Sequence, residues 1–167
     1  MFQSRISPPV RPAAVHPTVI GSALEQAALP LGDAYGVDLA AEAMLAGFEP
    51  ARRFFANCFI GVDATRETLF VAYLDRTAHC IQVSRHDGDT GDVAWPLRAI
   101  LLEAAACNAA GLIVAHNHPG GDSAPSASDK DATRRLAASA EAIDVTLVDH
   151  LVFAGVECTS FRRMGLL

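Results

Sequence analysis

The residues with the clearest capacity for chemistry lie in VAHNHPGGDSAPSASD, from Val114 to Asp129: His116 and His118, then Asp129 after ten intervening residues. Two neutral imidazoles and a carboxylate are ligands suited to a catalytic Zn²⁺ site, in which a fourth position stays open for water. Side chains two apart on an extended chain project to the same face. If the preceding GLIVA is a strand, His116 and His118 therefore point into one pocket. Gly120, Gly121 and Pro125 then let the chain turn back so that Asp129 meets them. A blander reading of the same letters stays open. Ser126-x-x-Asp129 ahead of an apolar helix is also a capping box, in which the serine caps the backbone and the acid favours the helix N-terminus.

Other metal motifs built on H-x-H fit less well. Metallo-β-lactamase-like enzymes need H-x-H-x-D-H, and Gly120 and Gly121 occupy the Asp and His places. Amidohydrolase barrels need a longer chain to close eight strands. The nucleases named for the letters HNH take those residues from separated positions, and zinc deaminases need a P-C-x-x-C that this sequence lacks.

The elements that must hold such a site can be read from periodicity and turn residues. Residues 1–17, with Pro8, Pro9, Pro12 and Pro17, read as an extended arm, and residues 18–46 as two short helices broken at LPLGDAYG. Phe48 to Phe59 reads as a helix with Pro50 in its first turn, where a missing N–H costs little. Thr68–Asp75 and His79–Arg85 are strand-like and separated by the short turn RTA, which predicts a hairpin. His86–Asp92 is a Gly/Asp-rich loop. A helix with Pro96 at its first position runs to Gly111, a central strand follows over Gly111–Ala115, and Leu136, Ala140 and Ile143 mark a helix over about 126–143. Residues 145–155, VTLVDHLVFAG, close the core as one or two strands.

Composition bounds the function. A chain of 167 residues that is 51% hydrophobic can bury a sizeable core. A formal net charge of −6 argues against general affinity for phosphate backbones, which rests on surplus Lys and Arg. Nucleic-acid binding is therefore expected to be weak at most. Cys58, Cys80, Cys107 and Cys158 form no C-x-x-C pair and no secretory signal precedes them, so free thiols in the cytoplasm are expected. No run approaches the roughly 20 apolar residues of a membrane span.

The order H-x-H-P, short loop, S-x-x-D resembles the JAMM or MPN+ zinc metallopeptidases, and AHNHPGGDSAPSASDKDATRRL followed by VDHLVFAG is similar to the RadC family within them. The resemblance covers roughly Phe48 to Leu167 and is most specific between Asn108 and Gly155. It implies an α/β fold of the JAB/MPN, cytidine-deaminase-like type: a mixed, curved sheet flanked by helices on both faces. The division expected is residues 1–46 as arm and short helical segment and 47–167 as the RadC-like domain. It further implies Zn²⁺ on His116, His118 and Asp129, hydrolysis of peptide or isopeptide bonds, and a general acid/base glutamate at the start of a neighbouring strand. Glu67 stands at that place. Glu103, in the helix before the ligand strand, is its rival. Ser126 would hydrogen-bond the oxyanion, adding to the Lewis acidity of zinc, and Asn117 should point away from the metal. Of the adjacent Asp149 and His150 only one can face the pocket, either to orient a ligand imidazole or as part of a buried structural pair.

Two departures from the family pattern stand out. Residues 1–46 show no helix-hairpin-helix, and the helix that usually opens Pro-Arg-Glu here begins Pro96-Leu97-Arg98-Ala99. The remaining readings are a DNA-associated accessory protein and a metal-holding binding module without turnover. The protein or peptide substrate and the oligomeric state are not encoded.

Overall fold

The computed structural model describes residues 43–88 and 95–167. The arm over 1–17 and nearly all of the helical segment over 18–46 lie outside the described residues. Ala43 to Ala46, the end of that segment, is not helical. Met44 forms a bridge with His79, and the Leu45 amide donates to the Ala78 carbonyl at 2.8 Å.

The first helix, α1 (Phe48–Cys58), buries Ala51, Phe54, Phe55 and Cys58, the i, i+3, i+4, i+7 stripe of an amphipathic helix. Strands β1 (Thr68–Leu74) and β2 (Cys80–Asp87) form the expected antiparallel hairpin. The second strand runs two residues beyond its predicted end. The His86 ring bonds Ser84 at 3.0 Å and the Asp87 carboxylate accepts from the Thr68 hydroxyl at 3.0 Å, so polar groups that read as loop serve the ladder.

Helix α2 spans Leu97–Ala106, with Pro96 one place earlier than expected, at the N-cap. It stops short of Gly111. Asn108 adopts φ 55, and the Ala109 amide donates to the Ala104 carbonyl at 2.9 Å, a left-handed C-terminal turn that asparagine tolerates. Gly111 instead opens β3 (Gly111–Asn117), where a Cβ would stand 3.0 Å from Val148 Cγ2. Helix α3 (Ala127–Glu141) leads to β4 (Thr146–Ala154). The short β5 (Glu157–Ser160), absent from the sequence reading, returns through Gly155 at φ 59 and Val156.

The strands form one five-stranded sheet in the order β2-β1-β3-β4-β5, with only β3 and β4 parallel. Helices cover both faces, as expected. Phe54 and Phe55 of α1 pack with Phe70, Ala72 and Ile113 on one side, while Ile100 of α2 and Leu136 of α3 pack with Leu69, Val71 and Val114 on the other. Each fully buried Leu, Ile or Phe side chain there contributes about 1.5–3 kcal/mol.

One irregularity decides what the second face carries. In the β3–β4 pairing Leu112 is opposite Leu147 but Ile113 is opposite Asp149, so Val148 is an extra residue. A bulge of one residue resets the alternation of side chains. It turns His150, opposite Val114, to the α2/α3 face and Asp149 to the other.

Candidate metal centre

His116 is in the last turn of the ladder of β3, and the His118 amide extends that ladder by donating to the Phe153 carbonyl at 2.7 Å. Period-two alternation then sends both imidazoles to the same face. Asp129 arrives from the first turn of α3, whose buried stripe is Asp129, Thr133, Leu136 and Ala140. The core-facing side of that helix thus begins with the polar residues of the site. Gly121 supplies the turn with φ 80, whereas Gly120 has no such requirement.

The three predicted ligands come together. One ligand atom from each of His116, His118 and Asp129 lies within 4.8 Å of the others. The two Nε2 atoms are 2.8 Å apart, His116 Nε2 is 3.3 Å from Asp129 Oδ1, and His118 Nε2 is 3.3 Å from Asp129 Oδ2.

The surrounding hydrogen bonds fix where the protons are. His118 Nδ1 is 2.7 Å from the Asp122 carbonyl, which only accepts, so Nδ1 carries the proton and Nε2 of the neutral ring is bare. The Thr133 hydroxyl donates to the Asp129 carbonyl at 2.5 Å, so its oxygen, 2.8 Å from His150 Nδ1, accepts from that nitrogen. His150 Nε2 is then an acceptor for His116 Nδ1–H at 2.8 Å, which leaves His116 Nε2 bare as well. Burial holds His150 well below its ordinary pKa and brings His116 down to about 4, so both rings are neutral near pH 7.

With both rings in their neutral forms, three lone-pair donors therefore converge on one point. A proton on one ring serves only part of the set, whereas a cation serves all three. This donor set could hold a metal ion, and two imidazoles with a carboxylate are ligands that suit Zn²⁺.

Ser126 shows that the two readings of S-x-x-D are not exclusive. Its hydroxyl accepts from the Asp129 amide at 3.1 Å while its own amide, at 2.8 Å, and hydroxyl, at 2.6 Å, donate to Asp129 Oδ2. This is a capping box that at the same time aims the carboxylate at the histidines. Burial opposes ionisation of Asp129, but His116 and the Ser126 hydrogen bonds outweigh it and hold the carboxyl below its usual value.

Glu67 and Ser126 line one cleft of about 600 Å³ together with Trp95, His118 and Asp129. Asn117 faces away from the histidines, as expected, and has a task the sequence did not reveal. Its side-chain oxygen accepts from the Thr68 amide at 2.7 Å and its nitrogen donates to the Arg66 carbonyl at 2.9 Å. The residue between the two histidines thus grips the backbone on both sides of Glu67.

Glu103 is engaged elsewhere. The Tyr73 hydroxyl donates to Glu103 Oε2 at 2.5 Å and lies 3.1 Å from Ser84 Oγ, and burial followed by the Glu103 bond pushes the phenol pKa up. Tyr73 is opposite Leu112, four residues before His116 along β3.

His150, left open between two roles, is the one that meets the ligand, and Asp149 is the structural partner. Asp149 accepts from its neighbour's amide at 2.7 Å, the Arg162 amide at 3.0 Å and the Ser160 hydroxyl at 2.6 Å. Thr133, Trp95 and Phe161 went unnoticed in the sequence. Trp95 stands edge-on to His150 with centroids 4.9 Å apart, and Phe161 stacks on it at 4.1 Å, so the relay is buried. The i, i+4 spacing of Asp129 and Thr133 was the available signal for the threonine. Nothing local marked Phe161.

Among the described residues no helix is long and apolar enough to cross a membrane. Compared with known protein families, residues 49–166 match the RadC-like JAB domain. The match takes in all five strands, all three described helices and the His-His-Asp cluster, and the chain belongs to the RadC-like JAB domain family.

Proposed function

We propose that this chain is a Zn²⁺-dependent hydrolase of peptide or isopeptide bonds, acting on a protein or peptide substrate. The observation that carries the reading is the convergence of the bare Nε2 atoms of His116 and His118 with the Asp129 carboxylate in a cleft that Glu67 also lines. Bound to that set, zinc supplies Lewis acidity, polarising a carbonyl and acidifying water.

The remaining work falls to side chains of the chain. Glu67 accepts the proton of the attacking water and returns it to the leaving amine, and Asn117 keeps its backbone in register with the ligand strand. Ser126 holds Asp129 and lends its hydroxyl to the oxyanion by exchanging its bond to Oδ2 for one to substrate. Thr133 and His150 keep the proton on His116 Nδ1 and so keep Nε2 available.

The test is elemental analysis of the full chain expressed with zinc supplied, joined to a peptide and isopeptide cleavage screen. One zinc per chain with cleavage that chelation abolishes is the expected result. Stoichiometric zinc without any cleavage would leave a metal-holding binding module, and no stoichiometric metal would remove the reading altogether.

A further inference from the structure

The cleft over the metal ligands does not end at His118. Past His118 and Pro119 lies a second depression, of about 470 Å³, whose walls include Phe59, Val62, Phe153 and Val156. His118 and Pro119 line both, so they form the ridge between them. An extended chain that crosses this ridge enters each side.

The two sides differ in chemistry. The cleft side carries the acids Glu67, Asp122 and Asp129 and, among the described residues lining it, neither Lys nor Arg. The far side is apolar, and among the described residues lining it the only charged side chain is Arg52. Val156, at the tip of the β4–β5 turn, is 93% exposed, a large solvent-facing contribution for an aliphatic side chain beside Phe153 and Phe59. Among the described residues Arg52 has one ion pair, to Glu49 at 3.4 Å across one turn of α1, with both side chains solvated. Such surface pairs are worth about 0–1 kcal/mol, so the guanidinium can exchange that partner for a ligand carboxylate at little cost.

We infer that this depression is a specificity subsite for a bulky apolar residue with an acidic neighbour, on the side of the scissile amide that lies beyond Pro119. The apolar side chain fills the space among Phe59, Val62, Phe153 and Val156, and the neighbouring carboxylate meets Arg52. The same acidic neighbour on the cleft side would face Glu67 and Asp122, so the charge difference sets the direction in which a substrate lies. This rests on the hydrolase reading for its placement of the scissile bond, but the binding it requires can be measured separately.

The experiment titrates the zinc-loaded full chain into two fluorescein-labelled decapeptides that differ only in having Asp or Lys beside a central Phe. Polarisation reads binding, and mass spectrometry of the same samples reads cleavage. The Phe-Asp peptide should bind at least tenfold more tightly than Phe-Lys. Arg52→Glu should invert that order, and Val156→Asp should weaken Phe-Asp binding tenfold or more, with zinc content and thermal midpoint kept. Equal affinities for the two peptides, no inversion by Arg52→Glu, or no binding of either would overturn the subsite, even if cleavage proceeds and the hydrolase stands. Binding with the expected preference but without cleavage would sustain the subsite and overturn the hydrolase.

Discussion

Two chains of polar side chains cross the same face of the sheet, and they end differently. One runs from the Asp129 carbonyl through Thr133 and His150 to His116, and finishes at a bare nitrogen beside two other donors. The other runs from His86 through Ser84 and Tyr73 to Glu103. In it the tyrosine donates to the carboxylate, so the serine donates to the tyrosine and the histidine to the serine. It ends at Glu103 Oε1, which is buried and has no hydrogen-bond partner among the described residues. Both contain a histidine, a hydroxyl and an acid. Composition therefore does not separate a candidate metal centre from an interior network; the convergence of lone pairs on one point does.

The largest effect expected from this difference is on metal. His116→Ala or His118→Ala should abolish stoichiometric zinc, because two donors remain where three converged, while His86→Ala should leave it intact. Metal analysis of the three proteins decides this, and retention of zinc by both ligand variants would dissolve the comparison.

Next comes the acid proposed to perform proton transfer. Glu67→Gln should keep zinc and fold yet lower hydrolysis by roughly 10²- to 10⁴-fold, the usual contribution of a positioned acid or base. Glu103→Gln keeps an acceptor for Tyr73 and should change turnover little. Steady-state rates on any substrate found by screening rank the two, and the reverse order would transfer the role to the interior chain.

A smaller effect is expected where the relay acts through a ligand. Thr133→Val preserves shape but leaves His150 Nδ1–H without its acceptor, which releases the ring to present a proton to His116. Zinc affinity should fall by roughly 10- to 100-fold, as for other residues that orient a ligand imidazole, and Thr133→Ser should restore it. Competition with a chelator of known affinity measures both. A purely structural threonine would cost stability in the valine variant without this recovery in affinity.

Much of the site was legible because it follows local rules. His116 and His118 share a face by the period of a strand, and Asp129 was marked by a capping pattern whose two uses coincide in one carboxylate. The hairpin and central strand read directly from apolar runs. What escaped depends on distant pairing. The extra residue Val148 decides that His150 rather than Asp149 faces the ligands, and nothing in VTLVDHLV announces a bulge. The β5 segment ECTS is short and gains its ladder only from β4. Glu103 lies in a helix with Leu and Ala on every side, so its face became clear only when Tyr73 was found beneath it.

The smallest effect sharpens the other half of the comparison. Tyr73→Phe removes the donor at 2.5 Å from Glu103 Oε2, and since Oε1 has none among the described residues, the carboxylate is left without either bond from them. Leaving a buried polar group unsatisfied costs about 1–3 kcal/mol, whereas replacing both partners by apolar groups of similar shape can be nearly neutral. Thermal or urea unfolding should therefore show Tyr73→Phe destabilised by about that amount and the double variant with Glu103→Leu recovering much of it, a coupling expected of residues in direct contact. Zinc content should stay at the wild-type level throughout. Loss of metal in Tyr73→Phe would mean that the two polar chains communicate across Leu69 and Val71, and the division between a converging site and an isolated network would have to be abandoned.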